Sequence, residues 1–242
     1  MTTPFLSIII PARNEETRLP DTLEQVVGFI NTQTFPAEVL VVENGSQDRT
    51  LEIAQDYARR YPFVRVLQSE QPGKGRAVRL GILAAQGEYR FMCDADLSMP
   101  IAEVTRFLPP ALVGCDIAIA SREAPGAVRY NEPHYRHLVG RVYNWMIRIL
   151  TLPGLQDTQC GFKCFRGDIV EELFACQTLG GWAFDVEVLF IARRRGYRIL
   201  EIPIPWYYNA HSKISVVRDS FRMGMDLLTI RLNGRRGLYD RR

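Results

Sequence analysis

Five short apolar runs, "FLSIII", "EVLVVE", "VRVLQS", "YRFMC" and "DIAIAS", recur along the first half of the chain. Their β-branched content reads as buried strands. Between the first two, Leu19, Leu23, Val26, Val27 and Ile30 fall at helical spacing. Leu51, Ala54, Tyr57 and Ala58 do the same behind the turn "NGS", and "RAVRLGILAAQG" follows the turn "QPGKG". Strands alternating with helices through short turns predict an α/β chain with a Rossmann-like, mostly parallel central sheet flanked by helices. Ligands of such sheets bind beyond the carboxyl ends of the strands. The polar clusters "PARNEE", "ENGSQD", "QPGKG" and "DADLS" all fall there, and the fifth run leads into Arg122.

The last of these clusters is the most demanding chemically. If Asp94-Ala95-Asp96 continues a strand, both carboxylates point the same way, and like charges that close call for a cation or a shared proton. Two acids at a strand end suit Mg²⁺ or Mn²⁺, which keep several waters and take further ligands from substrate phosphates. A solvated acidic turn is the alternative for any such motif taken alone. "QPGKG" is not a nucleotide-triphosphate loop, because Lys74 is followed by Gly75 and Arg76 where that motif needs Ser or Thr. Lys74 then serves either a phosphate at a helix start or plain turn chemistry.

Composition excludes other classes. The formal net charge is only +3, and no zinc-finger spacing or RNA-binding aromatic signature accompanies it, so no nucleic-acid partner is expected. Five cysteines without framework spacing fit a reducing compartment. No run approaches the ~20 apolar residues of a bilayer span, so the expectation is a cytoplasmic protein associated peripherally with a membrane. The second half is less regular: a long helix over 135–152, the run "DTQCGFKCF", a helix "AFDVEVLFIARRRG" and a strand "YRILEIPIPW". In the first helix Leu138, Val142, Trp145, Met146, Ile149 and Leu152 form a stripe beside Arg136, Arg141 and Arg148, which core burial or a headgroup boundary explains equally. In the tail, Phe221, Met225, Leu228 and Leu232 lie beside Arg222, Arg231, Arg235 and Arg236, with little core left to pack against, which favours membrane contact.

"IIIPARNEE", "VVENGSQDRT", "GKGRAVRLG" and "CDADLS" stand in the order and spacing of glycosyltransferase family 2, which the chain resembles. Downstream, "ASRE", "HYRHLVGRVYNW", "DTQCGFKCF" and "HSKIS" resemble the dolichyl-phosphate sugar synthases, nearer the β-glucosyl than the mannosyl type. The resemblance implies a GT-A fold over residues 1–218, with a nucleotide-sugar half (1–120), an acceptor half (121–218) and a basic amphipathic tail (219–242). It implies inverting transfer of a hexose, foremost glucose from UDP-glucose, to a polyprenyl or dolichyl phosphate, with Mg²⁺ or Mn²⁺. Pro11, Ala12 and Glu15 would line the nucleotide and Glu43 the base; Lys74, Asp94, Ala95 and Asp157 would complete the donor side; Asp94, Asp96 and Ser98 would serve the metal. Glu43-Asn44 replaces the two aspartates common in relatives, which leaves the nucleobase open.

An acceptor phosphate is already anionic at neutral pH, so it needs cations rather than a base. Arg122, Arg136 and Lys213 are the candidate clamp, acting with Asp96 at the reacting centre. A sugar-hydroxyl acceptor would instead need Asp157, Asp185 or Glu187 as base; Asp185 and Glu187, two apart on a helix, cannot both face the site. A GDP-mannose donor and a non-catalytic nucleotide-sugar-binding or membrane scaffold are the remaining alternatives.

Overall fold

The computed structural model describes residues 3–209 and 216–240, apart from the side chains of 216–222. The first strand, β1 (Leu6–Ala12), is apolar on both faces and lies in mid-sheet. It pairs in parallel with β2 (Ala37–Glu43) on one side and β4 (Tyr89–Met92) on the other, and β3 (Val64–Gln68) extends the sheet beyond β2. Helices α1 (Leu19–Asn31), α2 (Thr50–Arg60) and α3 (Lys74–Ala84) make the crossovers, so the parallel α/β expectation holds for this half. Alternation along β1 feeds two cores. Leu6, Ile8 and Ile10 meet Leu19, Leu23 and Val26 on one face, while Ile9 joins Leu40, Val42, Ala77 and Val78 on the other.

Beyond β4 the sheet departs from the parallel expectation. β5 (Ile117–Ser121) does not join β4 directly: β7 (Lys163–Arg166) lies between them, antiparallel to both, and β8 (Ile199–Pro203) closes the edge. The run "KCFR" that forms β7 is too short to announce itself by periodicity. Its direction matters for function. Lys163, the first residue of β7, pairs with Met92 at the end of β4 and with Ile119 in β5. The preceding segment 157–162 therefore arrives at the edge where the parallel strands end.

The run "YRILEIPIPW" gives two strands rather than one. Pro203 and Pro205 flank Ile204, and because proline lacks the amide a ladder needs, pairing is interrupted there. β9 (Pro205–Tyr207) then joins β6 (Val128–Tyr130) in a separate parallel ribbon, where Tyr130 and Tyr207 stack at 4.6 Å. The long helix α4 spans His134–Leu150, followed by α5 (Val170–Ala175) and α6 (Phe184–Arg194).

The last helix, α7 (Val216–Arg235), crosses the boundary expected at residue 218. Met223, Leu227 and Ile230 are buried in the same core as Tyr143 and Ile147 of α4 and Leu189 of α6. Behind them the Tyr239 hydroxyl donates 2.7 Å to the buried Glu187 carboxylate. The reading that this segment has little core to pack against is thus corrected. The face bearing Met225, Leu228 and Leu232 remains exposed. Lys213 lies outside the described residues, as do the side chains of Phe221 and Arg222.

Candidate active site

The loops at the carboxyl ends of β1, β2, β3 and β4 interlock. Asn14, in left-handed backbone at φ 53°, donates its amide to the Ser46 hydroxyl (3.0 Å), and its Oδ1 accepts the Gln47 amide (2.8 Å). The Glu15 amide reaches Thr50 Oγ1 at 2.7 Å, and the Glu15 carboxylate pairs with Arg18. Glu43 is buried and accepts the Ser46 amide, so it holds the turn that the family resemblance sets beside a nucleobase. Asn44 Oδ1 accepts the Gly73 amide at 3.1 Å, tying in the third loop. Pro11 is half-buried at the end of β1, while Ala12 is fully buried and forms the floor.

Glycine is required in "GKG" for a packing reason. A Cβ on Gly75 would lie 2.6 Å from Phe184 Cβ and 2.8 Å from the Leu179 carbonyl, so only a bare backbone lets α3 start against the 177–182 loop. The Gly75 amide donates to the Gly180 carbonyl at 3.0 Å. This fixes Lys74, whose Nζ sits 2.6 Å from Asp94 Oδ1 and 5.3 Å from the centre of the Trp182 ring.

The acids themselves are not on a strand. β4 ends at Met92, and Asp94–Leu97 form a turn in which Leu97 is left-handed at φ 41°. Ala95 is buried, with its carbonyl accepting the Thr22 hydroxyl at 2.7 Å. The Ser98 amide donates to Asp96 Oδ1 at 3.1 Å. Burial alone would raise the Asp94 carboxyl, but the Lys74 ammonium overcomes this and holds it below the ordinary carboxylate value. Asp96 goes the other way, raised by burial and then by the charge of Asp94. A carboxylate whose charge is resisted on both counts gains from a cation beside it. The candidate donor set is two carboxylates and a hydroxyl, all oxygen, and no group of three or more His, Cys, Asp or Glu side chains that could hold a metal occurs among the described residues. Such a partial set fits a hard divalent cation that draws its other ligands from water and substrate phosphate.

Three members of this cluster were not singled out in the sequence. Lys163 is buried at the start of β7, with Nζ 2.7 Å from Asp185 Oδ1 and 2.5 Å from the Cys160 carbonyl. A lysine inside the apolar run "FKCF" must find an acid, and that was the available signal. Gly161 packs so closely on Asp94 that a Cβ there would collide with Oδ2. Trp182 carried no signal in the sequence; the fold brings its ring beside Lys74. Asp185 and Glu187 do face different ways: Asp185 to Lys163, Glu187 to the Thr178 and Leu179 amides and Tyr239.

At the end of β5, Arg122 is held by Asp157 in a fork, Nε to Oδ2 at 2.6 Å and Nη2 to Oδ1 at 2.9 Å, with the Arg122 amide also on Oδ2. Burial would raise the Asp157 carboxyl, yet the guanidinium lowers it to about 2. Asp157 is fully buried with both oxygens engaged. It therefore positions Arg122 at the end of β5, and any part it plays on the donor side runs through that arginine. Trp206 lies under both Arg122 and Arg129, 5.4 and 5.8 Å from its ring centre. Arg136 donates to the Tyr208 hydroxyl at 2.8 Å and lies over that ring. A separate concavity of about 480 Å³ sits at the opposite end of the sheet, among Phe107, Leu112, Cys164 and Arg198, away from this cluster.

Residues 7–174 match the model of the family described as "Glycosyl transferase family 2". The dolichyl-phosphate beta-glucosyltransferase of Homo sapiens is 33% identical over 95% of this chain and 76% of its own length. One of Trichomonas vaginalis is 34% identical over 93% and 72%. Among solved structures, glucosyl-3-phosphoglycerate synthase from Mycobacterium tuberculosis, in complex with UDP, superposes with a TM-score of 0.67 at 18% identity, covering 95% of this chain and 79% of that one. The same enzyme has been solved with Mn²⁺, UDP-glucose and glycerol 3-phosphate, at a TM-score of 0.66, 18% identity and coverage of 97% and 80%. The GT-A fold expectation is met in these neighbours.

Proposed function

The chain belongs to glycosyltransferase family 2, and from that premise we propose that it transfers glucose from UDP-glucose to a polyprenyl phosphate of the dolichyl type, with inversion, at the cytoplasmic face of a membrane. The curated relatives carry the acceptor and sugar in their names, and the superposed Mycobacterium tuberculosis enzyme is described with UDP-glucose.

The observation that carries the acceptor class is the state of the carboxylates. Asp157, which could have served a hydroxyl acceptor as base, is locked to Arg122 with its pKa lowered to about 2. Asp185 is paired with Lys163, and Glu187 is turned into the core. A proton-accepting base works best with a pKa near the working pH, and a carboxylate this acidic is a poor one. A phosphate monoester brings its own ionised nucleophile. It needs positioning, which Arg122 and Arg136 on their aromatic supports offer at the mouth of the site, with Lys213 as the third proposed contact.

On the donor side, the Asn14–Thr50 loops would hold the nucleoside, with Pro11, Ala12, Glu15 and Glu43 shaping its pocket. Lys74 would take a diphosphate oxygen. A divalent cation, Mg²⁺ or Mn²⁺, held by Asp94, Asp96 and Ser98, would neutralise charge on the departing diphosphate.

The membrane is the third proposed partner. Among the described residues no helix is long and apolar enough to cross a bilayer. Yet Tyr135, Leu138, Val142, Trp145 and Ile149 form one stripe on α4, between 54 and 65% exposed, and Met225, Leu228 and Leu232 lie exposed on the neighbouring α7. Arg141, Arg148, Arg231 and Arg235 are also exposed on these two helices. Apolar residues ringed by arginines suit an anionic lipid surface.

The test incubates the protein and polyprenyl phosphate with labelled UDP-glucose, UDP-N-acetylglucosamine or GDP-mannose, each with Mn²⁺. Label from UDP-glucose entering the organic phase supports the reading. Label from GDP-mannose alone moves the donor, and label only in soluble saccharides removes the lipid acceptor.

A further inference from the structure

The two acids of Asp94-Ala95-Asp96 are not equivalent. Asp94 has one oxygen at the Lys74 ammonium, 2.6 Å away, and the other packed against Gly161. Asp96 has no ion-pair partner among the described residues; its hydrogen bond comes from the Ser98 amide. Lys74 is nearly enclosed, with 17% of its side chain exposed, Trp182 beside it and Asp185 within its field. A buried ammonium of this kind must keep an anion.

We propose that Lys74 is the resident counter-ion of Asp94 and competes with the divalent cation for it, so that the cation binds tightly only together with a donor diphosphate. The inference rests on the donor-and-cation reading above and adds an order of assembly to it. Without nucleotide, a divalent cation approaching Asp94 meets a positive charge already seated on one of its oxygens. A diphosphate gives Lys74 a replacement anion, frees that oxygen and brings its own oxygens to the cation. The closeness of the ammonium makes the effect large, because charges a few ångströms apart in a shielded site interact far more strongly than in water.

Mn²⁺ binding to the full chain is titrated by electron paramagnetic resonance, without nucleotide and then with saturating UDP, in the wild type, Lys74→Met and Lys74→Arg. For Mn²⁺ alone, Lys74→Met gains at least about tenfold in affinity and Lys74→Arg stays within about threefold of wild type, while UDP erases the Lys74→Met gain. Mn²⁺ bound by Lys74→Met no more tightly than by wild type overturns the inference. So does a wild type that binds Mn²⁺ equally well with and without UDP, a measurement that stands even if Lys74→Met does not fold. A chain that fails to bind UDP in calorimetry defeats the donor reading, and the inference with it, so the two failures are told apart.

Discussion

At the scale of single residues, the Arg122–Asp157 fork and the Lys74–Asp94 pair do different work. The first is structural: Asp157 has no exposure, and its carboxyl titrates at about 2 against about 3.9 in an unfolded chain. A folded-state pKa below the unfolded one gives stability that is present above pH 4 and lost as the pH falls toward 2, amounting to about 3 kcal/mol. Asp157→Asn should therefore cost about 3 kcal/mol in urea unfolding at pH 7, through the buried guanidinium left behind. The difference from wild type should narrow as the pH drops from 4 toward 2; an unchanged gap would show that the pair is not its source. The second pair belongs to the proposed donor site. Gly161→Ala pushes a methyl into Asp94, and should lower kcat/KM by at least about tenfold for a displacement of this size, while circular dichroism still shows a folded chain. The acids were legible in the sequence as a motif. Their unequal partners were not, because Lys74 and Gly161 come from separate segments that meet Asp94 only in the folded chain.

At the scale of elements, the first four strands and three helices were legible because each is a buried run with a turn at either end. β7 was not, since four residues with a lysine at their head carry no usable period. The stripe on α4 could be read as core or as surface, and the fold decides: Tyr143 and Ile147 turn inward, while Leu138, Val142 and Trp145 turn out. Replacing those three outward residues by glutamine should leave the urea midpoint almost unchanged, within about 0.5 kcal/mol, and abolish flotation with anionic vesicles. Flotation that persists would move the docking surface elsewhere. α7 has both kinds of face. Its inner one is anchored through Tyr239 and Asn233 to Glu187 and Thr178, and Glu187 in turn holds the loop on which α3 begins. Tyr239→Phe removes one bond to a buried carboxylate and should cost about 1–3 kcal/mol, with faster hydrogen exchange in the last turns of α7. Protection equal to wild type would mean that the anchor does not hold that helix.

At the scale of the whole molecule, one sheet carries both halves of the proposed site. Its parallel strands present the proposed donor loops, and the antiparallel β7 brings the 157–162 segment to the same edge, beside Arg122. The sequence order of the motifs made the first half readable; the second half was readable by resemblance more than by pattern, because its pieces are inserted between strands formed earlier. In the proposed reading the carboxylates of the site serve cations and the fold, and the incoming nucleophile arrives already ionised. The most direct measurement compares polyprenyl phosphate with the corresponding polyprenol as acceptor for labelled UDP-glucose, under the same Mn²⁺ concentration. The structure predicts lipid-linked glucose from the phosphate and none from the alcohol; equal transfer to both would mean that a base is at work and that the acceptor side of the site has been misassigned.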